Sequence, residues 1–298
     1  MIKVLVTGAN GLVGQHLVKQ LQDNSFTVVA TSRGPSRLPF TEGDNYKYVE
    51  ADITNGQAIN DLFYREKPAI VVHAGAMTQA DDCEKQQDAC FEANVQSTAQ
   101  LLIAAEKYAE FFIFVSTDFV FNGEKGNYAE GDHLTPLSWY GFTKVQAEST
   151  VETSDIPWAI VRTCLVYGNT LSGTRRNIIS WVKNSLQAGK EIWVVNDQFR
   201  TPTYVEDLAR GIILIIQQKA TGIFHISGKD LLTPYNMAIA TANYFNLNKE
   251  LIKKVDASTF TQPARRPLKT GLDISKARVK LGFEPISFED AMRLMVNG

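Results

Sequence analysis

At 298 residues the chain is long enough for an open α/β sheet plus a smaller second lobe, since domains run to about 100–200 residues. Its 30 basic and 32 acidic residues leave a net charge of −2, which excludes bulk attraction to nucleic acid or an anionic membrane, so neither is expected as a partner. Hydrophobic residues at 44% and charged residues at 21% exclude a disordered chain.

The first apolar run, residues 1–6, is too short for a signal peptide or a membrane span, and the expected location is the cytoplasm. A strand over residues 2–7 leads directly into Gly8-Ala9-Asn10-Gly11-Leu12-Val13-Gly14, and a helix pattern over 12–22 begins at once. Glycines at this spacing let the backbone turn tightly and let a pyrophosphate approach the main chain, while the helix amino terminus offers free N–H groups. Gly8, Asn10, Gly11, Leu12, Val13 and Gly14 are therefore candidates for dinucleotide binding. A second strand over 27–32 ends in Ser32-Arg33, where NAD-binding folds usually carry an acid for the ribose 2′-hydroxyl. An arginine there pairs with a 2′-phosphate instead, so NADP(H) is the expected cofactor and NAD(H) the alternative, with Arg37 as a second cation.

Strands over 46–51 and 69–74, with helices over 56–67 and 88–108, continue the alternation that marks parallel βαβ units. The strand over 111–116 is almost continuously apolar, as suits a central strand covered on both faces. It ends in Thr117-Asp118, placing a hydroxyl where the carboxyl ends of such strands form their ligand crevice. In the helix over 138–153, Tyr140 and Lys144 stand four residues apart on one face. A neighbouring ammonium lowers a phenol's pKa from about 10 and makes it a general acid and base. After a strand over 158–166 the pattern changes to a polar stretch at 169–176, a helix at 177–188 and a strand at 191–195. A helix over 204–217 and a strand over 222–227 return to the sheet. The expected fold is α/β: a Rossmann-type doubly wound parallel sheet (1–168 and 203–228) that binds the cofactor, with a smaller carboxyl-terminal substrate-binding lobe (169–202 and 229–298). The three cysteines are expected as reduced thiols, Cys83 and Cys90 lying about two turns apart along one helix. The four scattered histidines show no metal-ligand spacing, and no metal site is expected.

The glycine turn, Thr117 and the Tyr140/Lys144 pair, in this order, resemble the extended short-chain dehydrogenase/reductases over nearly the whole chain. The resemblance implies that Asp52-Ile53 holds adenine, that Ala74-Gly75-Ala76 lines the cofactor cleft, and that Asn94 helps organise the active site. Four stretches resemble the dTDP-4-dehydrorhamnose reductase family: 116–121, 162–167, 196–203, and Arg265-Arg266-Pro267 followed by Leu272-Asp273. That likeness implies NADPH-dependent reduction of the C4 ketone of a dTDP-sugar, with catalysis by Thr117, Tyr140 and Lys144. It places Thr78, Asp81, Asp118 and Leu165 near the sugar. Arg265 or Arg266, with Asn177 or Arg200, are the candidates for the nucleotide diphosphate, and helices 88–108 and 138–153 for a homodimer bundle. Leu165 and Met77 depart from the tryptophan and histidine usual in the bacterial reductases. Phe119 stands where sugar-nucleotide 4,6-dehydratases carry a proton-moving glutamate, which argues against elimination. Another sugar-nucleotide epimerase or reductase remains an alternative, as does a regulatory subunit, since the fold also resembles the β subunit of methionine adenosyltransferase.

Overall fold

The computed structural model describes residues 1–173 and 177–297; residues 174–176, at the end of the polar stretch expected over 169–176, and Gly298 lie outside the described residues. In chain order the first half runs β1 (Lys3–Thr7), α1 (Leu12–Asp23), β2 (Thr27–Ser32), β3 (Tyr46–Glu50), α2 (Gly56–Glu66) and β4 (Ile70–His73). It continues with α3 (Ala80–Lys85), α4 (Gln87–Phe91), a π-helical turn (Glu92–Gln96), α5 (Ser97–Tyr108), β5 (Phe111–Thr117), α6 (Trp139–Glu152) and β6 (Trp158–Thr163). The remainder comprises β7 (Val166–Tyr167), α7 (Ile178–Gln187), β8 (Ile192–Val195), β9 (Thr203–Tyr204), α8 (Val205–Gln218), β10 (Gly222–His225), α9 (Pro234–Tyr244), β11 (Ile252–Val255), α10 (Ser275–Leu281) and α11 (Phe288–Asn297).

Seven strands form one parallel sheet in the order β10-β6-β5-β4-β1-β2-β3. Side chains alternate between faces along each strand, and both faces are apolar. Val4, Val6, Val72 and Ile113 pack with α1 and α8 on one side, while Leu5, Val71, Phe112 and Phe114 pack with α2, α5 and α6 on the other. The strand order reverses between β2 and β4 about β1, so the carboxyl ends of β1 and β4 open the crevice in which ligands of such sheets bind.

A second, two-stranded parallel sheet pairs β8 with β11 and shares an apolar cluster with α7 and α9, through Val182, Leu186, Ile192, Val194, Ala238 and Ile252. The segment carrying α10 does not join that cluster. Ile274, Ala277, Leu281 and Phe283 sit in the main sheet's core beside α8 and β10, because α10 is amphipathic and the open face of the edge strand β10 is apolar.

Two elements differ from their sequence patterns. The helix expected over 88–108 is interrupted by the π-helical turn at residues 92–96, an insertion frequent at functional sites. The strand expected over 158–166 stops at Thr163; Leu165 takes a left-handed conformation (φ 40°), and the following β7 pairs with β9 outside the main sheet. No helix among the described residues is long and apolar enough to cross a membrane.

Candidate active site

Two adjoining cavities, sharing Ala76, run along the carboxyl edge of the sheet. The first, of about 450 Å³, is lined by Gly8, Ser32, Arg33, Asp52, Ile53 and Gly75, among others. Gly8 has φ +69°, and a Cβ there would stand 2.7 Å from the Ala74 carbonyl oxygen; a Cβ on Gly14 would stand 2.4 Å from the Gly8 oxygen. Only glycine permits this contact between β1, β4 and the start of α1, whose first-turn residues Leu12 and Val13 line the adjoining second cavity. The geometry suits a dinucleotide pyrophosphate. Arg33 is exposed, and among the described residues neither it nor Arg37 forms an ion pair. Asp52 accepts hydrogen bonds from the Thr54 amide at 3.0 Å and hydroxyl at 2.9 Å.

The second cavity, of about 350 Å³, gathers Thr117, Tyr140 and Lys144 with Leu12, Val13, Ala74, Thr78, Asp118, Leu165 and Arg266. Thr117 stands at the end of β5, where its hydroxyl donates to Asp118 Oδ1 at 3.2 Å and shares the cavity wall with the Tyr140 phenol. Ser138 caps α6 by accepting from the Gly141 amide, which starts the helix two residues before Tyr140 and so brings Tyr140 and Lys144 to the cavity wall. Burial raises the phenol pKa above its ordinary value, and the neighbouring Thr117 hydroxyl offsets this in part. At neutral pH Tyr140 is therefore protonated. Burial also lowers Lys144 to about 7, against the opposing field of Glu148. Lys144 donates to the Val115 carbonyl at 2.8 Å and its Nζ lies 3.9 Å from the centre of the Phe114 ring. The expected depression of the phenol by this ammonium is thus absent in this arrangement. Burial dominates at the phenol, and the Lys144 charge is held instead by a carbonyl and a ring face.

Asn94, at the π-helical turn, donates to the Met77 carbonyl at 3.1 Å and to Thr143 Oγ1 at 3.0 Å, and accepts from the Met77 amide at 2.8 Å. It ties the segment after β4 to α6 beside Tyr140. The extra residue of a π-turn turns this side chain toward that segment.

This chain belongs to the RmlD substrate binding domain family, whose model matches residues 2–298. It is 29% identical over 280 residues to methionine adenosyltransferase 2 subunit beta of Bos taurus, covering 92% of this chain and 81% of the relative. It is equally 29% identical to dTDP-4-dehydrorhamnose reductase of Aggregatibacter actinomycetemcomitans, over 98% of both chains. A solved dTDP-4-dehydrorhamnose reductase from Bacillus anthracis, in complex with NADP, superposes with a TM-score of 0.83 at 26% identity, covering 100% of this chain and 99% of that one.

The residues expected at the substrate side divide. Arg266 lines the cavity and is paired with Asp81 through hydrogen bonds of 2.8 and 3.1 Å, which hold the Asp81 carboxyl below its ordinary range. Arg200 does not reach the cavity. It is buried, donates to the carbonyls of Phe199 and Leu268 at 2.9 and 3.1 Å and to that of Pro267, and its Nε lies 3.7 Å from Asp118. A guanidinium withdrawn from water must fill its donors internally, and the loop carbonyls do so. Asn177 caps α7 in a reciprocal pair with Ser180 and lines a separate groove of about 390 Å³ with Trp181, Trp193 and Gln198. Arg265 is exposed, with no described side-chain hydrogen bond or ion pair.

The chain breaks at Gln86 between α3 and α4, and Cys83 and Cys90 are buried free thiols of one apolar cluster, Cys83 donating to the Met77 carbonyl at 3.4 Å and Cys90 lying 3.6 Å from Thr143 Oγ1. Sequence reasoning missed Ser116, Glu148 and Arg162. Glu148 receives two bonds from Arg162 Nε, each 3.1 Å, one from Nη2 at 2.7 Å, and one from the Ser116 hydroxyl. Two signals pointed to this pair: Glu148 repeats the Tyr140/Lys144 spacing, and an arginine inside an apolar central strand requires a buried anion.

Proposed function

We propose that this protein is an NADPH-dependent reductase acting on the keto group of a nucleotide-linked sugar, with the C4 ketone of dTDP-4-dehydro-L-rhamnose as the leading substrate. The observation that carries this reading is the convergence of Thr117, Tyr140 and Lys144 on one cavity that adjoins the glycine-turn cavity. NADPH, when bound, supplies the hydride for the carbonyl carbon. Tyr140, protonated at neutral pH, donates its proton to the carbonyl oxygen as negative charge develops there. Thr117, on the same cavity wall, offers a second hydrogen-bonding group at that oxygen. Lys144, with a proton exchangeable near neutrality, bonds the nicotinamide ribose and helps reprotonate the tyrosine.

Arg33 and Arg37 favour NADP(H) over NAD(H). Arg266 is the cation at the sugar-side cavity and would exchange Asp81 for the diphosphate. The groove beside Trp181 and Trp193, on the α7/α9 lobe, offers apolar faces to the nucleotide base. A cytoplasmic location and a homodimer through α4–α5 and α6 belong to the same reading. The test is the fall in NADPH absorbance on adding dTDP-4-dehydro-L-rhamnose; oxidation with product dTDP-rhamnose is expected, and no oxidation with any dTDP-, UDP- or GDP-linked keto sugar overturns the proposal.

A second reading is a regulatory subunit, favoured by the 29% identity to a methionine adenosyltransferase subunit and by Leu165 in the second cavity; Met77, the other departure from the bacterial reductases, lines the first cavity instead. It predicts a change in a partner enzyme's activity on mixing, without NADPH oxidation.

A further inference from the structure

Asn10, within the glycine turn, directs its side chain away from the first cavity and into the loop that follows β2. Its Oδ1 accepts from the Arg37 amide at 2.7 Å, and its Nδ2 donates to the Pro35 carbonyl at 3.0 Å and to the Tyr48 hydroxyl at 3.1 Å. Its own amide donates to the Ser32 hydroxyl at 3.0 Å. Tyr48, on β3, reaches the same loop from the other side, donating to the Gly34 carbonyl at 2.6 Å. Residues 32–37 are thus pinned at Ser32, Gly34, Pro35 and Arg37, and Gly34 supplies the left-handed residue (φ 77°) that closes the turn. Two unpaired arginines bracket this loop. Arg33 lines the first cavity, and the charge of Arg37 is felt at the Tyr48 phenol, where it opposes the upward push of burial.

A loop of this length loses conformational freedom at every residue when it is ordered. Without internal anchors, that cost would fall at the moment a ligand bound. We propose that Asn10 and Tyr48 are positioning residues that set the choice between NADP(H) and NAD(H), by holding residues 32–37 as a closed loop that presents Arg33 and Arg37 to an adenosine 2′-phosphate. The inference rests on the cofactor part of the proposed function and is independent of the sugar. NAD(H), which has only a hydroxyl at that position, gains little from the ordered loop. The selectivity therefore resides in the shape of the loop as well as in its charges.

The experiment measures the dissociation constants of NADP⁺ and NAD⁺ by calorimetry for the full chain and for Asn10→Ala and Tyr48→Phe, together with amide hydrogen exchange at Arg37 without nucleotide. The expected result is a fall in the NADP⁺/NAD⁺ affinity ratio of about tenfold for Asn10→Ala, which is about 1.4 kcal/mol. A smaller fall is expected for Tyr48→Phe, which removes the bond to Gly34 and one bond of Asn10 but keeps the Asn10 bonds to Pro35 and Arg37. Arg37 amide exchange accelerates in Asn10→Ala. Equal weakening of both nucleotides, or an unchanged ratio in both variants, overturns the proposal. Should the unaltered chain bind neither nucleotide, the cofactor reading itself falls; should it bind NADP⁺ but reduce no sugar, only the substrate reading does.

Discussion

On the cofactor side of the cleft, Gly8, Ser32, Arg33, Asp52, Ile53, Gly75 and Ala76 line one cavity, while Leu12, Val13 and Ala74 line its neighbour and the Asn10 side chain turns into the β2 loop. On the sugar side, of the four residues expected to hold a diphosphate, Arg266 lines the cavity, Arg200 is buried among carbonyls, Asn177 caps a helix over another groove, and Arg265 points to solvent. The two sides are assembled from different ranges of the chain. The cofactor side follows from short motifs whose backbone geometry is settled within a few residues. The sugar side depends on which of several loop cations finds an anion or a carbonyl across 67 to 185 positions of sequence, as in the Arg200 bonds to residues 267 and 268 and the Arg266 bond to Asp81.

The largest expected effect falls where the two sides meet. Tyr140→Phe removes the proton donor and should lower turnover by about 100- to 10,000-fold while NADP⁺ binding, followed by calorimetry, is retained. Full turnover in this variant would remove the phenol from the mechanism.

The contrast between the arginines sharpens next. Arg200→Ala leaves the buried Asp118 short of its cation and should destabilise the fold by about 3–5 kcal/mol in urea denaturation. Arg266→Ala removes a partly exposed ion pair, worth at most about 1 kcal/mol. Its effect should instead be a rise in the sugar-nucleotide KM on the order of tenfold, about 1.4 kcal/mol. If Arg266→Ala proved the more destabilising and Arg200→Ala the more damaging to KM, the assignment of the two sides would be reversed.

The smallest effect is a dependence on pH. The Lys144 pKa is lowered by burial from 10.5 to about 7, so between those values the unfolded chain binds the proton more tightly than the folded one. The cost of burying the charge is present in full below about pH 7 and fades as pH rises towards 10.5. Lys144→Met should therefore lose turnover yet be more stable than the unaltered chain at pH 6, with the difference shrinking by pH 9. A constant difference across that range would mean that the ammonium is not desolvated.

The cation positions show how far the sequence was legible. Gly8, Thr117, Tyr140 and Lys144 could be placed because a turn after a strand, a strand end and a helical spacing of four residues are local geometry. Asn10 was assigned to the cofactor with its neighbours in the turn, yet its side chain bonds the β2 loop, and only the meeting of β1, β2 and β3 shows this. Glu148 and Arg162 were findable as a buried pair, whereas the Thr270 hydroxyl that bonds Asp118 comes from 152 residues away without any pattern to announce it.

By itself, the amino-acid sequence determined the parallel sheet, the glycine turn and the helix that carries the tyrosine and lysine. Apolar periodicity and glycine sterics act over a few residues and need no partner from elsewhere in the chain. Only the tertiary structure decided which arginine lines the second cavity, how the β2 loop is braced, and that burial raises the phenol while lowering the ammonium. Those outcomes depend on desolvation and on hydrogen-bond partners brought together by folding. They are properties of an environment rather than of a residue.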